Sequence, residues 1–362
     1  RPLSVLFPSF PQAGGGPRRR AVSVATPDSP KNPYPMTFSQ IPSQYAPLGA
    51  EVLYAVEHSA AEDLDIRIAD RSGSTLYGTL RFVASAAARF DAAPFLRRAL
   101  HFLPVVSDTG FYAATGRTVT ATVAAGPSGT LPEGAAATAP ERTFLAGRTQ
   151  VAAPALLTTL PLQRLIPEGA RDELTLLAPD SGTVKATVTA RSADTMTAQS
   201  YSAFLKGPVL FVLDTRDFPG ADTLTVEIDG IATVEYTVVP AAEQAVRVAW
   251  RSSAGSVEQY SFPVVRTTTV QVEKLRAEGP EGLVAVPRRR EATRTLVSAY
   301  ETEAVLTALA ELVESPEVWV VGEQECMPID VATDEAVVRR LGNLCCLEID
   351  IRDRQNTAMT WN

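Results

Sequence analysis

Imidazole is almost missing from this chain. Its 362 residues include two histidines, His58 and His101, so a site that needs three imidazoles cannot be built within one copy. Cysteine is equally scarce: Cys326, Cys345 and Cys346 are odd in number and confined to the C-terminal part. A disulfide framework needs an even set spread along the chain. Adjacent cysteines on a strand point to opposite faces, so Cys345 and Cys346 do not suit a mutual bridge. The expectation is buried, reduced thiols in a reducing cytoplasm. Only 4 of the 33 basic residues are lysines, a skew that reads as coding bias. No apolar stretch approaches the roughly 18–20 residues a helix needs to cross a bilayer, so no membrane insertion is expected. There is no Gly-x-Ser-x-Gly elbow, no phosphate-binding Gly-x-x-x-x-Gly-Lys loop, no dinucleotide fingerprint and no Cys-x-x-Cys pair. The reading is therefore of a protein that is not an enzyme, with no catalytic residue, no cofactor and no resident metal.

What the chain does contain is apolar material. Hydrophobic residues make up 45%, charged residues 20%, and the mean hydropathy is +0.03. That composition builds packed cores. A net charge of −8 argues against a nucleic-acid partner bound through bulk charge. The length suggests two or three domains.

Residues 1–35 differ from the rest. They hold Gly14-Gly15-Gly16, Arg18-Arg19-Arg20 and eight prolines, and their net charge of +4 leaves −12 for residues 36–362. Prolines interrupt the only apolar run, Leu3 to Phe10, which argues against a secretory signal. The segment is expected to be a disordered extension or a non-native leader ahead of Met36.

From Thr37 to about Val239 the signals are strand and turn. Leu64, Ile66 and Ile68 alternate up to Asp70-Arg71-Ser72-Gly73, and Leu76 to Phe82 continues as a partner, a half-buried hairpin. Leu174 to Leu177, Pro179-Asp180-Ser181-Gly182 and Thr183 to Thr189 read as a second hairpin. Leu224, Val226 and Ile228 lead to Asp229-Gly230, a pair that favours a type I′ turn, and Ile231 to Val239 returns. The pattern predicts two tandem β-sandwich domains of immunoglobulin-like type, 36–147 and 148–240, with the junction near Gly147 to Pro154. Ala124 to Pro140 reads as a long loop.

A smaller α+β domain is predicted at 241–362. Val246 to Trp250 and Val257 to Phe262 flank a Ser/Gly turn, Thr268 to Leu275 extends the sheet, and Gly279 to Arg290 reads as a loop. One helix is predicted from Thr302 to Glu314, with Val305, Leu306, Leu309, Leu312 and Val313 on one stripe and Ser315-Pro316 as its stop. Val318 to Val321 and Leu344 to Ile351 read as strands. Glu323, Glu325, Asp330, Asp334 and Glu335 suggest an exposed acidic sheet edge.

Three groups are candidates for chemistry or contact. Asp214, Asp217 and Asp222 share a loop and could hold a hard cation, although Phe218-Pro219-Gly220 is ordinary turn material. His58 and His101 have no partner set to make a base. Trp250, Tyr260, Phe262 and Trp319 are the candidates for partner contact, since exposed aromatics on β-sandwich proteins stack on sugars or anchor other proteins.

The run Val246-Arg247-Val248-Ala249-Trp250, its turn, and Glu258-Gln259-Tyr260-Ser261-Phe262-Pro263 resembles an element of tail-associated structural proteins from phages and prophages of gut Bacteroidetes. Ser315-Pro316-Glu317-Val318-Trp319, Pro328-Ile329-Asp330-Val331 and Leu347-Glu348-Ile349-Asp350-Ile351 match the strands that follow it. No catalytic residue comes with the resemblance. It implies a virion structural protein of a tail or baseplate, assembled in the host cytoplasm and acting through contacts with other tail proteins as a homo-oligomer. The alternative is a cell-envelope module for adhesion or for binding a host-surface glycan.

Overall fold

Leu64, Ile66 and Ile68 are fully or almost fully buried because their strand presents one face to a core and the other to solvent. The computed structural model describes residues 36–354 apart from Asp180, Glu281 and Asn343, so the expected leader at 1–35 lies outside the described residues. Leu53–Ala69 and Leu76–Asp91 form the first predicted hairpin. Its turn is held by the Ser72 and Ser74 hydroxyls, which donate to Asp70, and by Gly73 at φ +73°. Thr118–Pro127 is shared between two halves of the sheet: its first residues pair with Arg142–Leu145, the rest with Leu53–Ala69. A strand that changes partners in this way turns the corner of a sandwich and closes the core around Tyr54, Ile66, Val123 and Phe144. The segment expected as a long loop from Ala124 to Pro140 thus begins as strand, and Ala137–Thr138 pairs back onto it.

The second sandwich has a five-stranded sheet facing a four-stranded one. Leu174, Leu176, Phe211 and Leu213 from one sheet meet Val188, Leu224, Val226 and Val234 from the other. Three expectations are corrected here. Arg171–Leu177 and Thr183–Arg191 are not a hairpin: the first pairs with Pro208–Asp214 and Ala155–Leu157, the second with Met196–Phe204 and Thr223–Ile228. The two strands lie in different sheets, so both bury a face against the same core. The boundary at residue 147 is also crossed, because Gly110–Ala113 forms the edge strand beside Pro208–Asp214. Thr223–Ile228 and Ala232–Val239 do form the third hairpin. Only Gly230 of its turn takes positive φ, at +68°, so the turn is not of type I′.

In the third unit, Glu303–Glu314 is the one long helix among the described residues. Its stripe of Val305, Leu306, Leu309 and Leu312 packs on Val248, Trp250, Phe262, Ile349 and Ile351 of an eight-stranded sheet. Thr302 takes the extended N-cap conformation but makes no side-chain cap, so packing rather than capping holds the helix. The opposite face of the same sheet gives Ala249, Val257 and Trp319 to the first sandwich's core. Backbones touch there too: a Cβ added at Gly255, φ +85°, would lie 2.6 Å from the Gly147 amide nitrogen. Cys326–Val331 is flanked by strands on both sides, so the acidic residues around it do not mark a sheet edge. Gly279–Arg290 is not a loop. It is the tip and return of a long two-stranded ribbon, Val264–Gly279 with Gly282–Val297.

Candidate functional site

The four aromatic candidates are corrected first. Trp250 and Phe262 are fully buried, Tyr260 is 7% exposed and Trp319 5% exposed, so none is a contact for an outside partner. Alternation on Val246–Arg251 and Val257–Phe262 sends Trp250 and Phe262 to the helix, while Trp319 faces the first sandwich. Both sides of this sheet are covered, a circumstance that local sequence does not show.

The three carboxylates are not pooled into a cation site. Asp214 is buried and accepts from Arg171 Nε at 2.8 Å and from Arg216 Nη2 at 2.6 Å. Asp217 accepts from the Thr109 amide at 3.1 Å, and Asp222 is exposed. No group of three or more metal-ligating side chains is assembled among the described residues. His58 is buried inside a strand with Nδ1 at 2.7 Å from the Ala60 carbonyl, and His101 is exposed elsewhere. Burial pushes the Cys326 thiol up to about 11, away from the range of a reactive thiolate.

The sequence reading missed the charged junction. Asp172 and Glu173 are neighbours on Arg171–Leu177 and point to opposite faces, each into a buried cluster. Asp172 accepts from Arg164 Nη1 at 3.0 Å, Tyr236 Oη at 2.8 Å and Arg247 Nη2 at 3.3 Å. That single carboxylate ties the second sandwich to the third unit. Glu173 receives both terminal nitrogens of Arg117 and the Val105 amide, tying the first sandwich to the second. Burial drives the Arg247 guanidinium down from its usual range, against the pull of Asp172. Burial and the neighbouring Asp172 raise Tyr236, so it stays a phenol and donor.

Beside Asp172 lies a cavity of about 380 Å³ between the second sandwich and the third unit. Its polar lining includes Arg164, Arg247, Tyr260 and Glu301, and these groups already bond one another or near neighbours. Tyr260 donates to Glu301 at 2.9 Å, and Arg247 donates to Gln259 and Ser261. No histidine, serine or cysteine lines it among the described residues. The arrangement locks two modules together.

Burial raises the Glu301 carboxyl above its ordinary value near 4.5. An acid raised on folding favours the native state while protonated, and that stability is lost as pH rises from about 4.5 through the folded value. Glu301→Gln keeps an acceptor for Tyr260 without the titration. Thermal unfolding between about pH 4 and pH 8 is therefore expected to show the wild type losing ground to the variant as pH rises. A constant offset at every pH would refute it.

The other exposed feature is the ribbon. The third sheet reaches it only through Thr293–Val297, which pair with Glu348–Arg352. Beyond that root it is two strands without a third, extending roughly 40 Å at strand rise. Leu275 is 62% exposed, Leu283 71% and Val284 50%. Residues 264–297 carry a net +3 on a chain of net −8.

No protein-family model and no curated protein matches this chain. Among solved structures, the complex of Dpr2 Ig1-Ig2 with DIP-Theta Ig1-Ig3 contributes a chain that aligns with 88% of this one and 90% of its own length, at 7% identity and a TM-score of 0.20. The chicken CNTN1 FN1-FN3 domains align over 88% of this chain and 97% of theirs, also at 7% identity, with a TM-score of 0.21. At those scores the likeness carries no argument, and the fold class rests on the sheets described above.

Proposed function

We propose that this chain is a non-enzymatic structural protein that acts through protein–protein contacts within a larger assembly. The observation that carries the reading is the ribbon 264–297. An isolated two-stranded hairpin is at best marginally stable in water, and an open edge with apolar side chains on both strands is a liability that proteins keep only where something covers it. The buried ion pairs at the junction support the reading from the other side, because they fix the three modules in one arrangement from which the ribbon projects. The resemblance of residues 246–351 supplies the finer setting, a tail or baseplate of a phage or prophage, built in the host cytoplasm from this chain and other tail proteins.

Light scattering on the purified full chain, alone and then with the proteins encoded beside it, tests the proposal. Masses at multiples of the monomer, or a stable complex with a neighbour, are expected. A strict monomer that joins none of them and instead retains a purified host-surface glycan would transfer the argument to the cell-envelope module.

A further inference from the structure

Resting on the assembly reading, we propose that the outer edge of the ribbon, Val264–Gly279, pairs antiparallel with the same edge of a second copy, about a two-fold axis at Val272. The ribbon strand lies at the end of the third sheet, hydrogen-bonded on one side only. The sheet's other end, Val257–Phe262, is buried and leaves no comparable edge. From Thr267 to Gly279 the outer strand carries no inserted residue. Its one bulge is at Arg266, at the root, and the second register shift falls on the inner strand between Pro287 and Arg289. An uninterrupted edge of this length can add a strand with about a dozen backbone hydrogen bonds.

Charge selects both the partner and the register. The outer strand is nearly balanced, with Arg266, Lys274 and Arg276 against Glu273 and Glu278, and the arginine run 288–290 belongs to the inner strand. Two identical antiparallel strands related by a two-fold axis normal to the sheet must place that axis at a residue, because directly opposed side chains share a face. The bulge at Arg266 breaks the alternation there, so opposed pairs are counted over the uninterrupted stretch 267–279. With the axis at 273 Glu273 opposes itself, and at 274 Lys274 does. Val272 gives the longest overlap within that stretch, residues 267–277, with no like charges opposed. It sets Val270 against Lys274, Gln271 against Glu273 and Thr268 against Arg276. Like charges directly opposed are destabilising and opposite ones stabilising. The product is a continuous four-stranded sheet joining two copies, a closed isologous contact.

The test is cross-linking of the full chain. Val272 is 39% exposed, and the native thiols are buried or partly buried. In Val272→Cys the two thiols face each other across the axis with Cβ atoms about 4.5–5.5 Å apart. In Leu275→Cys they sit roughly 20 Å apart. Under mild oxidation the first variant is expected to form a covalent dimer roughly tenfold faster or more than the second, with wild type as the blank. Val272→Asp, which puts two carboxylates on the axis, is expected to abolish the dimer in light scattering and to leave unchanged the melting temperature measured at dilution, where wild type is also monomeric. An oligomer in which Leu275→Cys cross-links as fast as Val272→Cys, or that survives Val272→Asp, would overturn the inference. A chain that is monomeric alone yet joins a complex with a purified neighbour also overturns it while the assembly reading stands. A chain that does neither overturns both.

Discussion

Replacing Glu173 by alanine is expected to cost about 3–5 kcal/mol of folding stability, as does removal of one partner from a buried ion pair. The side chains of Arg117 and Glu173 are 2% and 0% exposed. Without the carboxylate, the Arg117 guanidinium keeps the Leu103 carbonyl at 2.8 Å and a long contact to Thr175, but no counter-charge. The Val105 amide loses its acceptor at the same time. These costs fall on residues from two modules, so the loss is expected as a shift of the cooperative transition rather than local fraying. The intact pair is a weaker source of stability than its removal suggests, because burying both charges is itself costly. The double variant Arg117→Met with Glu173→Leu should recover most of the deficit. Urea unfolding of the three proteins checks this, and a single-variant loss under about 1 kcal/mol would show that water reaches the site.

The fold was legible wherever one strand's alternation reports one core. Leu64, Ile66 and Ile68, the Asp229-Gly230 connection and the helix stripe all belong to that class, since the face that repeats in sequence is the face that is buried. Reading failed where burial depends on a neighbour from far away in the chain. Arg171–Leu177 is buried on both faces, by its own sandwich and by the first sandwich with the third unit, so its near-continuous burial gave no clue to its partners and the following Pro-Asp-Ser-Gly looked like a hairpin turn. Gly110–Ala113 is too short to announce which sheet it joins. The ribbon failed for the opposite reason. Val272, Leu275 and Val284 have no core to face, and the charged run 288–290 resembles a loop when pairing is not considered.

The site was less legible than the fold. Trp250, Tyr260 and Phe262 drew attention as aromatics, but aromatic residues are the commonest material of cores and nothing local shows that the sheet is covered on both sides. Asp172-Glu173 sits beside Arg171 in the sequence like any solvated charge run. Its role appears only when Arg117, Arg164 and Arg247 converge from three other strands or loops. Two carboxylates directly ahead of the apolar run Leu174 to Leu177 are the one local signal that could have marked it, because charges carried into a buried strand need partners.

Leu309→Ala is expected to cost about 2–5 kcal/mol, the range for a buried leucine whose site cannot collapse. Leu309 is fully buried in the cluster that contains Trp250, Phe262, Leu347 and Ile349. The helix has no side-chain N-cap to compensate for lost packing, so the cavity is felt by the whole helix–sheet contact. Thr307, exposed on the same helix with its hydroxyl bonded to the Glu303 carbonyl, is the control: Thr307→Ala should stay within about 0.5 kcal/mol. The order of effects carries the larger point. Leu296, at the root of the ribbon, belongs to the same cluster as Leu309, and its strand pairs with Glu348–Arg352. A loosened helix therefore releases the base from which the ribbon projects, and self-association should fall with stability in Leu309→Ala. In Val272→Asp it should fall without any loss of the monomer's own stability, measured at dilution. Unfolding curves and light scattering on the same samples separate the two, and a Leu309→Ala protein that unfolds early yet still assembles would mean the ribbon holds its shape without the sheet that anchors it.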